Sequence, residues 1–456
     1  MRYLKKTKKG DKNPDWYTIG ILFQCEAMPA VPCPDGRHAL TAATHVTERA
    51  MSIKSKQLLW FFAFFLVFEL NIYLSNDMIM PAMLGIVDEF QAEKKFVPLS
   101  LSLYLLGGSS LQIFLGPLAD RIGKRKLVLT GNTLFLLATL AVPFATSIEQ
   151  FLAVRFIQGM GCCFIFVGYA MIHELFDDMA AVKLSSILSS TTILAPLAGP
   201  ILGSAIISRL DWRYVFFLSA LLALLSLLGL FKSMPRTAAT RPRLDGRAIV
   251  RSYAAIFSNG RFMFGMFTAG LATVPLTAWI GFSPIFVLQE MGASYATYIA
   301  LQCVILSGFV ISSIAIQRLR QDFPLVHLLR LGGLIAAAGM LGAGAGAGRH
   351  HVDVFAACMF IYSIGFGLFN GALIRSAITA SKESMTLTTA AMSLLYCIYL
   401  SAWLQLYNVL CQRFGYALET YALLNIPVIV VIAACLLLFT RGMAGRRESE
   451  VRLARH

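Results

Sequence analysis

The sequence predicts an all-α integral membrane protein with twelve transmembrane helices in two pseudo-symmetric six-helix bundles. Three observations predict it: the composition, the spacing of the apolar windows, and one Arg-rich interruption near the middle. Of 456 residues, 57% are apolar and 14% are charged, whereas a soluble domain carries about 25% charged residues. Mean hydropathy is +0.69. Apolar windows of about 20 residues, each able to cross a hydrocarbon core of about 30 Å, fall at roughly 58–80, 96–118, 127–146, 149–172, 183–208 and 212–231. Six more follow at roughly 262–289, 294–317, 327–347, 352–376, 385–411 and 416–440. Only a helix satisfies its own backbone hydrogen bonds in lipid, and barrel strands would be shorter and alternating.

The interruption is 232–260, with Arg236, Arg241, Arg243, Arg247 and Arg251 among Pro235 and Pro242. It predicts a bundle over 51–231, a cytoplasmic linker over 232–260, a second bundle over 261–440 and a basic cytoplasmic tail over 441–456. A faint internal echo supports duplication, since the turn after span two reads Asp120-Arg-Ile-Gly-Lys-Arg-Lys126 and that after span eight reads Gln317-Arg-Leu-Arg-Gln-Asp322. Basic residues in short loops stay on the cytoplasmic side. Alternate loops and the two ends of the membrane portion hold twenty-four Lys and Arg and the opposite loops six, which places both termini in the cytoplasm.

Residues 1–50 differ in kind, with Lys5, Lys6, Lys8, Lys9 and Lys12 followed by Pro29, Pro32 and Pro34 and no long apolar run. The segment is not a signal peptide. The preferred reading is a start at Met51, just ahead of span one, and the alternative is a disordered basic arm on the inner leaflet. The net charge of +15 does not indicate nucleic-acid binding, because the basic residues are distributed between apolar runs. Seven of nine cysteines sit inside apolar runs without the paired spacing of a metal site, so no metal is expected. No phosphate-binding Gly loop, no metal-spaced His pair on a helix and no Gly-x-Ser-x-Gly is present, which argues against an enzyme.

A carboxylate at mid-membrane costs about 2.5–3.5 kcal/mol on the insertion scale, and span one holds two. Glu69 falls near its centre, with Tyr73 and Asn76 on nearly the same helical stripe, and Asp77 flanks that stripe two turns on. The alternative for Asp77 is an interfacial residue at the outer end of the helix, and for Glu69 a purely structural hydrogen bond. Arg155 is the basic residue deep inside a span of the first half, and it shares a face with Gln158, Gly159 and Cys162. It is either a partner of those acids or a fixed structural counter-charge. In span five Ala195, Gly199 and Gly203 repeat every four residues, which gives a flat face for close helix contact. Pro196 and Pro200 in the same segment remove two backbone donors, so the helix needs a packed partner.

These residues resemble the major facilitator superfamily, and within it the twelve-helix drug/proton antiporters. Gly116-Pro-Leu-Ala-Asp120-Arg121-Ile-Gly123-Lys-Arg125-Lys is similar to the family's loop motif after span two. Leu152-Ala-Val-Arg155-Phe-Ile-Gln158-Gly159 is similar to its span-four motif, and Ala195-Pro196-Leu-Ala-Gly199-Pro200-Ile-Leu-Gly203 to its antiporter motif. Phe68-Glu69 to Asp77-Met-Ile-Met-Pro81, Pro275 to Pro284 through Trp279, and Gly365 to Arg375 through Asn370 resemble the drug-exporting branch. Lys124 stands where Arg is frequent, and Ser204 where a second Gly is usual.

The resemblance implies a cavity between two bundles that rock about a midplane site lined by spans one, four, seven and ten. It implies that Glu69 and Asp77 alternately hold protons and substrate, that Arg155 biases their proton release, and that Tyr73, Asn76, Gln158, Trp279 and Asn370 line the cavity. Asp120, Arg121, Gly123 and Arg125 would hold the outward-facing state, and Pro196, Gly199, Pro200 and Gly203 would seal the cavity. The implied activity is export of lipophilic cationic and neutral drugs by proton antiport. A dedicated exporter of one metabolite, such as a sugar, amino acid or siderophore, is the alternative. Protons as coupling ion, small-molecule substrates, the lipid bilayer of an inner membrane and a monomeric state complete the expectation, with no cofactor.

Overall fold

The computed structural model describes residues 37–176, 178–235, 246–318, 324–348 and 351–453. Side chains are described from Lys56 to Thr440 apart from Asp120 and a few further positions, most of them between 177 and 193. By contact the chain divides after Lys54, and the body from Ser55 to His456 carries the spans. The extension over 1–36, the core of the linker at 236–245 and the side chains of the tail lie outside the described residues.

Eleven helices among the described residues are long and apolar enough to cross a membrane, and a shorter apolar stretch, Leu194–Ile207, supplies the position of the expected fifth span. Span one is α1 (Arg37–Met78), a 3-10 turn (Met80–Ala82) and α2 (Met83–Glu89). It runs past the expected end at 80 because Pro81 sits in the first turn of the 3-10 segment, where a missing N–H costs nothing. Met83, Ile86 and Val87 beyond it are buried. Span two is α3 (Phe96–Ser110) with α4 (Gln112–Ile122), and span three is α5 (Lys124–Ala141). Span four is α6 (Ile148–Met160), a 3-10 turn (Gly161–Phe164) and α7 (Ile165–Leu175). Then come α8 (Asp178–Ile207) and α9 (Arg213–Ser233).

The linker is not uniformly irregular, since α10 (Gly246–Phe257) occupies its second part. Its Tyr253 and Ile256 are buried while Arg247, Val250 and Arg251 face outward. The second half comprises α11 (Gly260–Ser283) continued by a π-helical turn (Pro284–Glu290), α12 (Tyr295–Arg318), α13 (Leu325–Ala347), α14 (Val352–Ile378), α15 (Met385–Phe414) and α16 (Leu418–Leu453).

Small residues set the helix contacts. A Cβ on Gly107 of α3 would run into the carbonyl of Phe156, and one on Gly159 of α6 into the carbonyl of Tyr104. Spans two and four therefore cross backbone to backbone, as small residues permit in lipid. Buried polar pairs pin the first half further. Asn71 Nδ2 donates to the Ser219 carbonyl (2.9 Å), tying span one to span six, and Asn132 Nδ2 donates to Ser226 Oγ (2.6 Å), tying three to six. The outward residues of α9, including Leu221, Leu224 and Leu228, are exposed in the isolated chain, as lipid-facing positions must be.

Candidate substrate and coupling site

The acids of span one lie where lipid cannot reach them. Glu69 is fully buried, its Oε1 accepts a hydrogen bond from the Tyr169 hydroxyl of α7 at 2.8 Å, and Oε2 has no partner among the described residues. Tyr73, one turn on and half-buried, lies within electrostatic reach of Glu69 and Tyr169 and, across the junction of the halves, of Cys397 on α15. Asp77 is 6% exposed. The helical path continues for about three more turns to Glu89, so Asp77 is not at the end of span one.

Arg155 does not form an ion pair within 4 Å among the described residues. Its Nη2 donates to Asn76 Oδ1 (2.7 Å), its Nη1 to Gln158 Oε1 (2.6 Å) and its Nε to Ser100 Oγ (3.4 Å), and its guanidinium lies 4.4 Å from the centre of the Tyr104 ring. Asn76 Nδ2 in turn donates to Asp77 Oδ1 at 3.3 Å. The chain Arg155, Asn76, Asp77 thus links cation to acid through one amide, which can accept from the first and donate to the second. Glu69 stands about 12 Å from Asp77 along the axis at 1.5 Å per residue, so the two acids occupy separate sites.

The expected lining residues divide. Asn370 on α14 is partly buried with its Oδ1 unpartnered, and Gln405 Nε2 on α15 is unpartnered as well. Both offer free polar atoms in the interior. Gln158 instead is fully buried and spent on Arg155 and on Thr139 Oγ1 (2.8 Å). Trp279 corrects the expectation more plainly: it is fully buried, donates Nε1–H to Gln302 Oε1 (3.0 Å) and packs against Phe355 and Tyr421. The face of α11 that carries it also offers carbonyls of Ala272 and Pro275 to Tyr362 and Tyr421. That face is turned into the second bundle, where Trp279 packs in the core.

Pro196, Gly199, Pro200 and Gly203 sit in an unbroken α8. A Cβ at Gly199 would overlap Asp77 Cβ, and one at Gly203 the Met78 carbonyl. The small-residue face of span five is therefore the wall against which the Asp77 turn is pressed. In the loop motif, the side chain of Asp120 lies outside the described residues and Arg121 is exposed. Gly123 turns the chain at φ 92°, a backbone region open mainly to glycine. Arg125 Nη2 donates to the Phe231 carbonyl at the end of α9 (2.6 Å), while Lys124 pairs with Glu174. The arginine therefore satisfies a helix C-terminal carbonyl, a favoured place for a cation.

Sequence reasoning missed Tyr169, Ser100 and Thr139. All three are polar residues in apolar runs, and Tyr169 offered a second signal: at 100° per residue it falls within about 40° of Arg155, on the face that also carries Gln158 and Cys162.

A multi-span helical body with buried acids and unpartnered amides fits a membrane transporter. The family model described as Major Facilitator Superfamily matches residues 59–403, and the chain belongs to that superfamily. It is 36% identical over 347 residues to the multidrug transporter MdfA of Yersinia pestis bv. Antiqua (strain Angola), covering 75% of this chain and 85% of that protein. It is 38% identical over 345 residues to the multidrug transporter MdfA of Escherichia coli O6:H1, covering 75% and 84%. Among solved structures, a bacterial homologue of the human lysosomal transporter Spinster superposes with TM-score 0.66 at 15% identity, covering 84% of this chain and 97% of that one. A D-xylose–proton symporter superposes with TM-score 0.63 at 17% identity, covering 82% and 97%. At such identities these two show the fold alone.

Proposed function

We propose that the protein is a secondary multidrug exporter that exchanges lipophilic cationic and neutral compounds for protons by alternating access. The observation that carries the reading is Glu69, a fully buried carboxyl at the centre of span one with one oxygen held by Tyr169 and the other free. A carboxyl in a cavity of low dielectric can hold a proton or a cation, so the two compete, and that competition is coupling. Relatives named multidrug transporter MdfA support the substrate class. Asp77 is the second exchange site, set by Arg155 through Asn76. Each net charge moved adds about 2.3 kcal/mol of drive per 100 mV, so neutral drugs are driven too.

The basic loops support cytoplasmic termini in a bacterial inner membrane, with two bundles divided at 232–260 and a monomer as the working unit. Efflux of ethidium and resistance to chloramphenicol in a pump-depleted bacterial host test the reading, with and without a protonophore. Protonophore-sensitive activity on both is expected, with ethidium efflux lost in Glu69→Gln. An inserted protein that moves neither compound would redirect the assignment to a single-metabolite exporter.

A further inference from the structure

An apolar groove lies away from the buried acids, on the outer face of the first half between α1 and α9. It is a shallow, open groove of about 510 Å³ lined by Trp60, Phe64, Leu225, Leu228, Gly229 and Lys232. Its floor is fixed. The Phe64 ring lies directly on Gly229, where a Cβ would collide with it, and Trp60 stacks on Phe64 at 5.7 Å. Along the length the groove is almost wholly apolar, and Leu225 and Leu228 are exposed to it. At one end it changes character, with Lys232 exposed, Lys56 exposed beside Gln57 at the start of the described part of α1, and Arg125 held on the Phe231 carbonyl next door. Among the described residues, no acid lines the groove.

A long apolar slot that ends in lysines, with an exposed Trp beside them, has the layout of the boundary between acyl chains and headgroups. We propose that this groove binds one anionic phospholipid, its acyl chain lying on Trp60, Phe64 and Leu228 and its phosphate on Lys232. The site differs from general annular lipid in being concave and preformed. One basic residue near an anionic surface corresponds to about a fivefold preference over a zwitterionic lipid. The inference does not depend on what the protein transports.

The test is native mass spectrometry of the full chain released from nanodiscs of equal phosphatidylglycerol and phosphatidylcholine. One retained phosphatidylglycerol is expected on the wild type. Leu228→Trp fills the slot and is expected to lose the retained lipid of either kind. Lys232→Gln leaves the slot open and is expected to retain a lipid with no headgroup preference, and Lys232→Arg to restore the preference. Retention of phosphatidylglycerol by Leu228→Trp at the wild-type level, equal retention of the two lipids by the wild type, or a protein dimer that dissociates in the filled variant would each overturn the proposal. A melting temperature in detergent unchanged from wild type confirms that the variants are folded.

Discussion

Single residues at the buried acids are held by few bonds, and each bond has an identifiable task. The Tyr169 hydroxyl donates to Glu69, and bonds to a charged partner are worth about 1.5–3 kcal/mol. Tyr169→Phe keeps the ring and removes the bond to Glu69, so ethidium efflux is expected to fall by about tenfold or more while the melting temperature in detergent changes little. Unchanged efflux would mean that Tyr169 is a bystander. Asn76 is expected to be similarly intolerant, because Asn76→Leu leaves both the Arg155 guanidinium and the Asp77 carboxyl without their shared bridge. Thermal unfolding of that variant should occur at lower temperature than wild type. At this scale the sequence was legible wherever a charge sat in an apolar run, since lipid makes such a residue conspicuous. It was not legible for neutral partners such as Ser100 and Thr139, which cost little to bury, nor for Trp279, whose environment depends on which way α11 is turned.

At the scale of elements, the contact between α8 and span one is the tightest constraint on the coupling region. Gly203 abuts a backbone carbonyl at Met78, which cannot swing aside as a side chain can. Gly203→Val is therefore expected to cost about 1–3 kcal/mol by overpacking, with transport abolished because the Asp77 turn is displaced. Ile201→Val, two residues away on a lipid-facing position 40% exposed, should be silent in the same efflux and melting assays. The four-residue spacing of small residues pointed to this face before any partner was known. What spacing could not supply was the partner itself, because every span is apolar and offers no pattern that says which neighbour it meets. The same limit explains α10, a short amphipathic helix inside a stretch whose arginines read as open linker.

Across the whole molecule, the bonds seen between the halves among the described residues are few in kind and weak. Lys94 pairs with Glu290 at 3.1 Å, both about four-tenths exposed. Asn408 Nδ2 donates to the Lys95 carbonyl (2.9 Å), Ser401 Oγ to the Ser102 carbonyl (3.2 Å), and at the linker the Tyr253 hydroxyl donates to the Ile113 carbonyl (3.1 Å). An exposed pair of this sort contributes about 0.2–1 kcal/mol. Lys94→Glu and Glu290→Lys singly are expected to change ethidium efflux by less than about fivefold, and the double reversal to return it to the wild-type rate. A double mutant worse than either single would show that the pair does not act as a unit. The fold class was readable from span count and polarity, whereas this pairing between distant loops depends on the assembled shape.

The bonds of Arg155 all run to α1, α3 and its own α6, so the guanidinium belongs wholly to the first half. A rigid swing of one bundle against the other would carry this cation together with all of these partners. The cost of burying the guanidinium would then be met when the chain folds, within one half of the molecule.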